Sequence, residues 1–402
     1  MTFITDKCDF GQLQNNCDHY IILATCNAAG LMQLDYSKVR LNILGTRGIP
    51  AKHGGFETFA ERLALHLVSR GWEVTVYCQN DGGKFRREYW NGIHLVHIPV
   101  NLSSALGTII FDLKSTLYAA RQKDLVLTLG YNTAIFGFIY QLKGVMNLIN
   151  MDGIEWRRQK WNTWERAWLR LNEYMGCLLG NHLIADHPEI MAHLATRVSH
   201  KKITMIPYGA DRIIGADTKL LKTYNLSPNK YAVVIARPEP ENSILEIVSA
   251  FSKKPRGFKL VVLGNYKPDK NIYHQNVLET ASDEVIFMGA VYEKSVVDTL
   301  RFYARLYIHG HTVGGTNPSL VEALGSGIAV LAHDNSFNRW VAGTGAHYFK
   351  NEYECVQKLN QLLDDEEELK KMKVASSIRH REQFLWEKIL DKYEFLLTQF
   401  VS

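Results

Sequence analysis

The sequence predicts an α/β protein built of two Rossmann-like domains, and three observations carry that expectation. Short apolar strands alternate with amphipathic helices along most of the chain, the pattern of parallel sheets covered on both faces. The alternation restarts at Lys230 after a polar connector at 211–229, and 402 residues suffice for two ordinary domains. In each half a strand also runs straight into a glycine-rich loop that opens a helix. Such loops, at the carboxyl ends of parallel strands, are where open α/β sheets bind ligands.

Composition narrows the class. With 46% hydrophobic and 22% charged residues the chain reads as folded rather than disordered. Lys and Arg number 46 against 41 Asp and Glu, a net charge of +5. That is too mild to imply a nucleic-acid partner, but it suits anionic substrates or an anionic membrane surface. The six cysteines form no C-x-x-C pair. Cys8, Cys17 and Cys26 lack the paired spacing of a structural metal site, so reduced thiols in a cytoplasmic protein are expected. No apolar run reaches the ~18 residues of a membrane span. The nearest imitation of a signal segment, 20–32, follows Asp6, Asp9 and Asp18 against a single Lys7, the wrong charge for a leader.

Residues 1–38 form an extension with one strand candidate at 20–25; an added strand, an arm and a dispensable segment all remain open. The first domain, 39–210, is given strands at 40–44, 73–77, 94–98, 125–129, 145–149, 183–185 and 203–206. Between the first two, a helix follows Gly54-Gly55, with Phe56, Phe59, Ala60, Leu63 and Leu67 at 3.6-residue spacing. The second domain, 211–380, is given strands at 231–236, 259–263, 285–288, 306–309 and 328–332. Its helix at 242–253 buries Ile244, Ile247, Val248 and Phe251. The acidic run 364–368 before Leu369-Lys370-Lys371 reads as a solvated helix with opposite charges at close spacing. A last helix in 381–402 carries Phe384, Trp386, Leu390, Tyr393, Leu397 and Phe400, too much apolar surface for water. It is expected to pack back on the body.

The chemistry concentrates in two places. After Ile308 the chain passes a Gly-Gly loop and opens a helix with Asn317 as N-cap and Pro318 at the first helical position. Unpaired amides and the positive dipole end would make a phosphate site there, with Glu322 one turn in. An ordinary α/β turn has the same look. The second place is Arg157-Arg158-Gln159-Lys160-Trp161, with Trp164, Arg166, Trp168 and Arg170. It reads either as a lipid-headgroup surface or as a helix that buries its tryptophans and solvates its arginines.

Two such domains, each aiming a loop into a shared cleft, define the GT-B architecture, and four stretches point to a family. Leu44-Gly45-Thr46-Arg47-Gly48-Ile49-Pro50 with Gly54-Gly55-Phe56-Glu57-Thr58 comes first. Asn150-Met151-Asp152-Gly153-Ile154-Glu155-Trp156, Ala236-Arg237-Pro238-Glu239-Pro240-Glu241-Asn242 and the Gly-Gly-Thr-Asn-Pro-Ser at 314–319 follow. In this order they resemble the signatures of bacterial family-4 retaining GT-B glycosyltransferases of the rhamnosyltransferase type. The resemblance runs from about Val39 to the C-terminal helix and leaves 1–38 unexplained.

The resemblance implies transfer of a sugar from a nucleoside diphosphate bound mainly by the second domain. The departing phosphate oxygen takes the acceptor's proton, so no protein nucleophile is needed. No cofactor or metal is implied, and the sequence has no D-x-D pair to hold one. Carried over residue by residue, Arg237 holds the diphosphate, where a guanidinium fits phosphate oxygens. Its alternative is an ion pair with Glu239 or Glu241. The turn of Gly315, Thr316, Asn317, Pro318 and Ser319 contacts the distal phosphate or the sugar through its amides. Glu322, matching the second glutamate of the family's pair, accepts hydrogen bonds from the ribose. Gly45, Arg47, Gly48, Gly54, Gly55 and Glu57 form the cleft loop. Asp152 orients the sugar or stabilises positive charge at the anomeric carbon, or else merely caps a helix. Two positions depart from the pattern. Gly314 stands where the first glutamate would be, and Asn242 stands where a lysine usually partners the arginine.

The expectation is therefore an enzyme at the inner face of a bacterial cytoplasmic membrane, bound peripherally to anionic lipid. It moves L-rhamnose from dTDP-rhamnose onto a lipid-diphosphate-linked saccharide in O-antigen or capsule synthesis. A UDP- or GDP-hexose transferase, a sugar-nucleotide epimerase and a non-catalytic subunit that binds nucleotide sugar are the competing expectations.

Overall fold

The computed structural model describes residues 39–51, 54–80, 82–101, 105–158 and 160–401, together with the backbone of two short strands in the extension. Those strands, β1 (Ala24–Cys26) and β2 (Met32–Leu34), pair antiparallel with Thr25 opposite Gln33. The strand expected at 20–25 lies outside the described residues up to 23, as do Cys8 and Cys17.

The first domain is an eight-stranded sheet. It contains β3 (Arg40–Leu44), β4 (Glu73–Asn80), β5 (Arg86–Trp90), β6 (Ile93–Pro99), β7 (Leu125–Leu129), β8 (Asn147–Asn150), β9 (His182–Ala185) and β10 (Ile203–Met205). Their order is β10-β9-β8-β7-β3-β4-β6-β5, and all pairings are parallel except β5 with β6. The edge strand β5 is not among the strands read from the sequence. Its hairpin turn is Asn91-Gly92, both at positive φ (48° and 85°), the type I′ turn that an Asn-Gly dipeptide favours.

The second domain is a six-stranded sheet of β11 (Tyr231–Ile235), β12 (Lys259–Leu263), β13 (Val285–Gly289), β14 (Leu306–His309), β15 (Val330–His333) and β16 (His347–Phe349). Every pairing in the order β13-β12-β11-β14-β15-β16 is parallel. The added strand β16 is three residues long, too short to show a period. Chain order reverses once in each sheet, between β3 and β7 and between β11 and β14. These switch points are where α/β sheets open a crevice for ligands.

The strands are buried on both faces, as parallel sheets require: every residue of β8, β9 and β14 is buried. Helix Gly55–Ser69 lays Phe59, Ala60, Leu63 and Leu67 against Leu41, Ile43, Val74 and Val76. Each such leucine contributes ~1.5–3 kcal/mol by leaving water.

The acidic run starts helix Glu366–Gln383, where Asp365 accepts from the Glu368 amide (2.9 Å) and the charges meet the positive dipole end. That helix stops at Phe384, whose carbonyl accepts the Ala210 amide at 2.8 Å. The final helix therefore begins at Trp386 and runs to Thr398. It crosses to the first domain, where Trp386, Ile389, Leu390, Tyr393 and Leu397 join the cluster around Phe59. The Phe59 and Tyr393 rings lie 4.6 Å apart, and His66 Nε2 meets Glu394 Oε2 at 2.8 Å. Among the described residues no helix is long and apolar enough to cross a membrane.

Candidate active site

Three adjoining cavities lie at the carboxyl ends of the two sheets. The first, about 580 Å³, is lined mainly by the second domain, with Gly264, Asn265, Tyr292, Arg301 and Glu322 on its walls. The second, about 440 Å³, lies between domains: Asn150, Asp152, Lys160 and Asp186 face Arg237, Thr316 and Pro318. The third, about 790 Å³, belongs to the first domain and is walled by Phe56, Asp112, Trp161, Trp164 and Trp168. Arg237 and Pro318 line the first two, Phe56 and Trp161 the last two, and Gly55 lines all three.

In the first cavity Glu322 sits one turn into helix Pro318–Gly325, as the spacing predicts. Its Oε2 pairs with Arg301 Nη2 at 2.5 Å, and its side chain is 37% exposed. Buried Arg301 also donates to Ser319 Oγ (3.2 Å), which takes the Tyr307 hydroxyl at 2.7 Å and donates to the Ile235 carbonyl at 3.1 Å. Ser319 is thus held by its own domain although it lines the cavity. Arg237 is exposed there, and neither Glu239 nor Glu241 pairs with it among the described residues.

The 314–319 turn corrects the sequence reading. Its amides were expected to be open to a phosphate, yet those of Thr316 and Ser319 already have partners within the chain. Ser319 N donates to Asn317 Oδ1 (3.0 Å), the predicted N-cap, and Leu320 N donates to the Asn317 carbonyl (3.1 Å). Thr316 N donates to Asp186 Oδ2 at 2.8 Å, and the Thr316 hydroxyl donates to the Asp186 carbonyl. Asp186 directly follows β9, so this clasp joins the two domains. A Cβ on Gly315 would stand 2.4 Å from Asp186 Oδ1, so a larger residue would have to displace the carboxylate that holds the clasp.

Asn242 is corrected as well: it is buried and lines none of these cavities. Its Nδ2 donates to the Arg237 carbonyl (2.8 Å), and its Oδ1 meets His311 Nδ1 at 2.6 Å. It positions the Arg237 loop. Gly314 has φ +137°, a conformation a glutamate would adopt only under strain. Gly314 also lies 3.4 Å from where a Cβ on Gly153 would be.

The carboxylates on the second cavity come from the first domain. Asp152 follows β8 at φ 50°, an unusual state for a non-glycine residue and one that aspartate tolerates better than most. Its amide donates to Asn150 Oδ1 at 3.0 Å. It caps no helix, since the turn Glu155–Arg157 is preceded by Ile154. Burial, then Glu155, pushes its pKa to about 6, against the opposing pull of Arg158. Burial, then Asp152, raises Asp186 to about 7, and Asp186 Oδ1 has no hydrogen-bond partner among the described residues. Asp186 was missed in the sequence, although a carboxylate directly after an apolar strand was the available signal.

Of the expected cleft loop, Gly45, Arg47, Gly55 and Glu57 line the third cavity, with Arg47 N donating to Glu57 Oε1 (3.2 Å). Gly48 packs on Cys78, and Gly54 precedes helix Gly55–Ser69. The basic segment divides. Arg158 turns inward, 2.9 Å from Glu155 and 3.7 Å from Glu241 of the other domain, and Lys160 lines the second cavity. Arg158 is half-buried, whereas Lys160 and Arg157 are exposed. The helix begins only at Thr163, with Asn162 and Glu165 forming a capping box.

Residues 219–377 match the family of glycosyl transferases group 1, and 38–211 match a domain of unknown function (DUF1972). No curated protein sequence matches the chain. Among solved structures, sucrose-phosphate synthase from Thermosynechococcus elongatus superposes with TM-score 0.75 at 16% identity, over 90% of this chain and 99% of that one. HepE from Anabaena in complex with UDP and glucose gives 0.72 at 14%, over 90% and 100%. An α,α-trehalose-phosphate synthase (UDP-forming) from Burkholderia xenovorans in complex with glucose-6-phosphate gives 0.68 at 12%, over 89% and 100%. The fold is GT-B, and its second domain is a glycosyl transferases group 1 domain.

Proposed function

We propose that this GT-B glycosyltransferase moves a sugar, L-rhamnose from dTDP-rhamnose, with retention onto a hydroxyl of a lipid-diphosphate-linked saccharide in surface polysaccharide assembly. The observation that carries the transfer reading is the meeting of three cavities at Gly55. The nucleoside occupies the first, beside Glu322. The diphosphate spans the wall that Arg237 shares with the second, which takes the sugar. The acceptor enters through the aromatic third cavity. When the anomeric C–O bond breaks, positive charge grows in the sugar ring beside Asp152, and Arg237 stabilises the departing diphosphate. The acceptor hydroxyl forms the new C–O bond on the same face, and its proton passes to the departing phosphate oxygen.

Phe56, Phe59, Ile206 and Pro207 line the sugar cavity and suit the methyl group of a 6-deoxy sugar. A hexose reading has its own support: HepE, of the same fold, is described with UDP and glucose. Exposed Trp164, Leu142, Leu106 and Phe138, beside the third cavity, favour a peripheral seat on the membrane that carries the acceptor.

The test is incubation with a panel of nucleotide sugars and a short lipid-diphosphate saccharide, with product mass as readout and EDTA in a parallel arm. The expected result is rhamnosyl product from dTDP-rhamnose, unchanged by EDTA, with weak leakage to hexoses, because an apolar pocket excludes an added hydroxyl by only about a hundredfold. A clear preference for a UDP-hexose removes the rhamnosyl assignment. Metal-restored activity removes the metal-free one.

A further inference from the structure

We propose that Lys160, reaching across the cleft from the first domain, is a diphosphate-binding cation that acts opposite Arg237. The proposal rests on the donor-site reading above. In the second cavity the described cations are Arg158, Lys160 and Arg237. Arg158 is neutralised by Glu155 at 2.9 Å and Glu241 at 3.7 Å. Neither Lys160 nor Arg237 has a carboxylate in ion-pair contact among the described residues. Lys160 instead rests its ammonium 4.4 Å from the centre of the Trp161 ring, an arrangement that holds the side chain without using its three donors.

The two free cations come from opposite domains, and Arg237 alone among them also lines the nucleoside cavity. A ligand that joins that cavity to the sugar cavity must pass Arg237, and two unpaired cations on facing walls suit a bridge with two anionic groups. Loss of water, together with the Arg158 and Arg237 charges, lowers the Lys160 pKa against the pull of Glu155 and Glu241; an arriving diphosphate removes that conflict. Among the described residues Arg237 is the one cation the second domain brings to this cavity, because Asn242 stays buried behind it. The diphosphate site is therefore complete only when both domains face each other.

Calorimetric titration of the full chain and of Lys160→Met with UDP, dTDP and GDP, and with the corresponding monophosphates, tests this. The expected result is diphosphate affinity lowered about tenfold to a hundredfold, the effect of one charge-assisted hydrogen bond. Monophosphate affinity and melting temperature should stay unchanged, and Lys160→Arg should restore most of the loss. Unchanged diphosphate affinity in Lys160→Met overturns the role of Lys160 and leaves the transferase reading intact. An equal loss for mono- and diphosphates also overturns it, since that marks a general structural effect. If the parent binds no diphosphate in the panel, the donor-site reading fails and takes this inference with it.

Discussion

Asp186 leaves water for one amide and no cation, so its proton is hard to remove in the folded protein. Its pKa of about 7 lies above the unfolded value of ~3.9. The folded chain therefore keeps a proton that the unfolded chain releases, and stability falls as pH rises between about 4 and 7. Asp186→Asn removes the buried charge and keeps an oxygen for Thr316 N. It is expected to be more stable than the parent at pH 8, by on the order of a few kcal/mol, with the gap closing toward pH 4. Urea denaturation at the two pH values measures this, and an equal gap at both would refute it. Glu322 has the opposite surroundings: Arg301 fixes one oxygen, and more than a third of the side chain is open to the first cavity. Glu322→Gln is expected to lower kcat/KM about tenfold to a hundredfold, the effect of one charge-assisted hydrogen bond to the ribose. Unchanged donor affinity and turnover would remove Glu322 from the site.

The elements that a period or a cap announces were legible. Helix Gly55–Ser69 follows its 3.6-residue apolar spacing, and Asn317 caps its helix as read. The basic segment divides because a three-residue turn at Glu155–Arg157 sends Arg158 inward before any helix starts, while Arg157, Trp164, Arg166 and Arg170 stay exposed. The capping box of Asn162 and Glu165 marked the true start. The clasp of Asp186 with Thr316 joins residues 130 apart in sequence, and local pattern holds no information about which loop will face which. The last helix was legible as apolar, but its target was not. In the structure Tyr393 Oη accepts from Asn150 Nδ2 at 2.8 Å, and Asn150 Oδ1 accepts the Asp152 amide at 3.0 Å. The helix thus reaches back to orient the Asp152 loop. Tyr393→Phe keeps the ring against Phe59 and removes only the hydroxyl, so a stability loss of about 1 kcal/mol is expected. Turnover should fall more than KM changes, because Asp152 loses its support while Arg237 and Glu322 keep theirs. A melt combined with steady-state kinetics separates the two effects, and a variant that loses stability with full kcat would break the proposed link.

At the scale of the whole molecule the charge is a mild +5, so the proposed membrane seat would depend on how that charge is distributed. Arg158 turns into the cleft and exposed Lys160 lines its mouth; the other exposed cations of this region are Lys143, Arg157, Arg166 and Arg170, in or beside helices Gly137–Lys143 and Thr163–Leu179. Trp164 is 86% exposed and Leu142 77% on the same two helices, and Trp164 also lines the third cavity. An indole on the wall of the third cavity, on a helix that also carries exposed cations, is an arrangement that suits a seat at headgroup depth. Trp164→Ala with Leu142→Ser is expected to weaken binding to anionic vesicles at any salt, because those side chains act through apolar burial. Arg166→Glu with Arg170→Glu is expected to weaken it mainly at low salt, since exposed charges are screened beyond ~8 Å at physiological ionic strength. Sedimentation with vesicles at two salt concentrations reads both effects. If charge reversal and added salt leave binding unchanged while the apolar variant abolishes it, attachment is apolar alone. If neither variant matters, the acceptor must reach the third cavity without this face touching lipid.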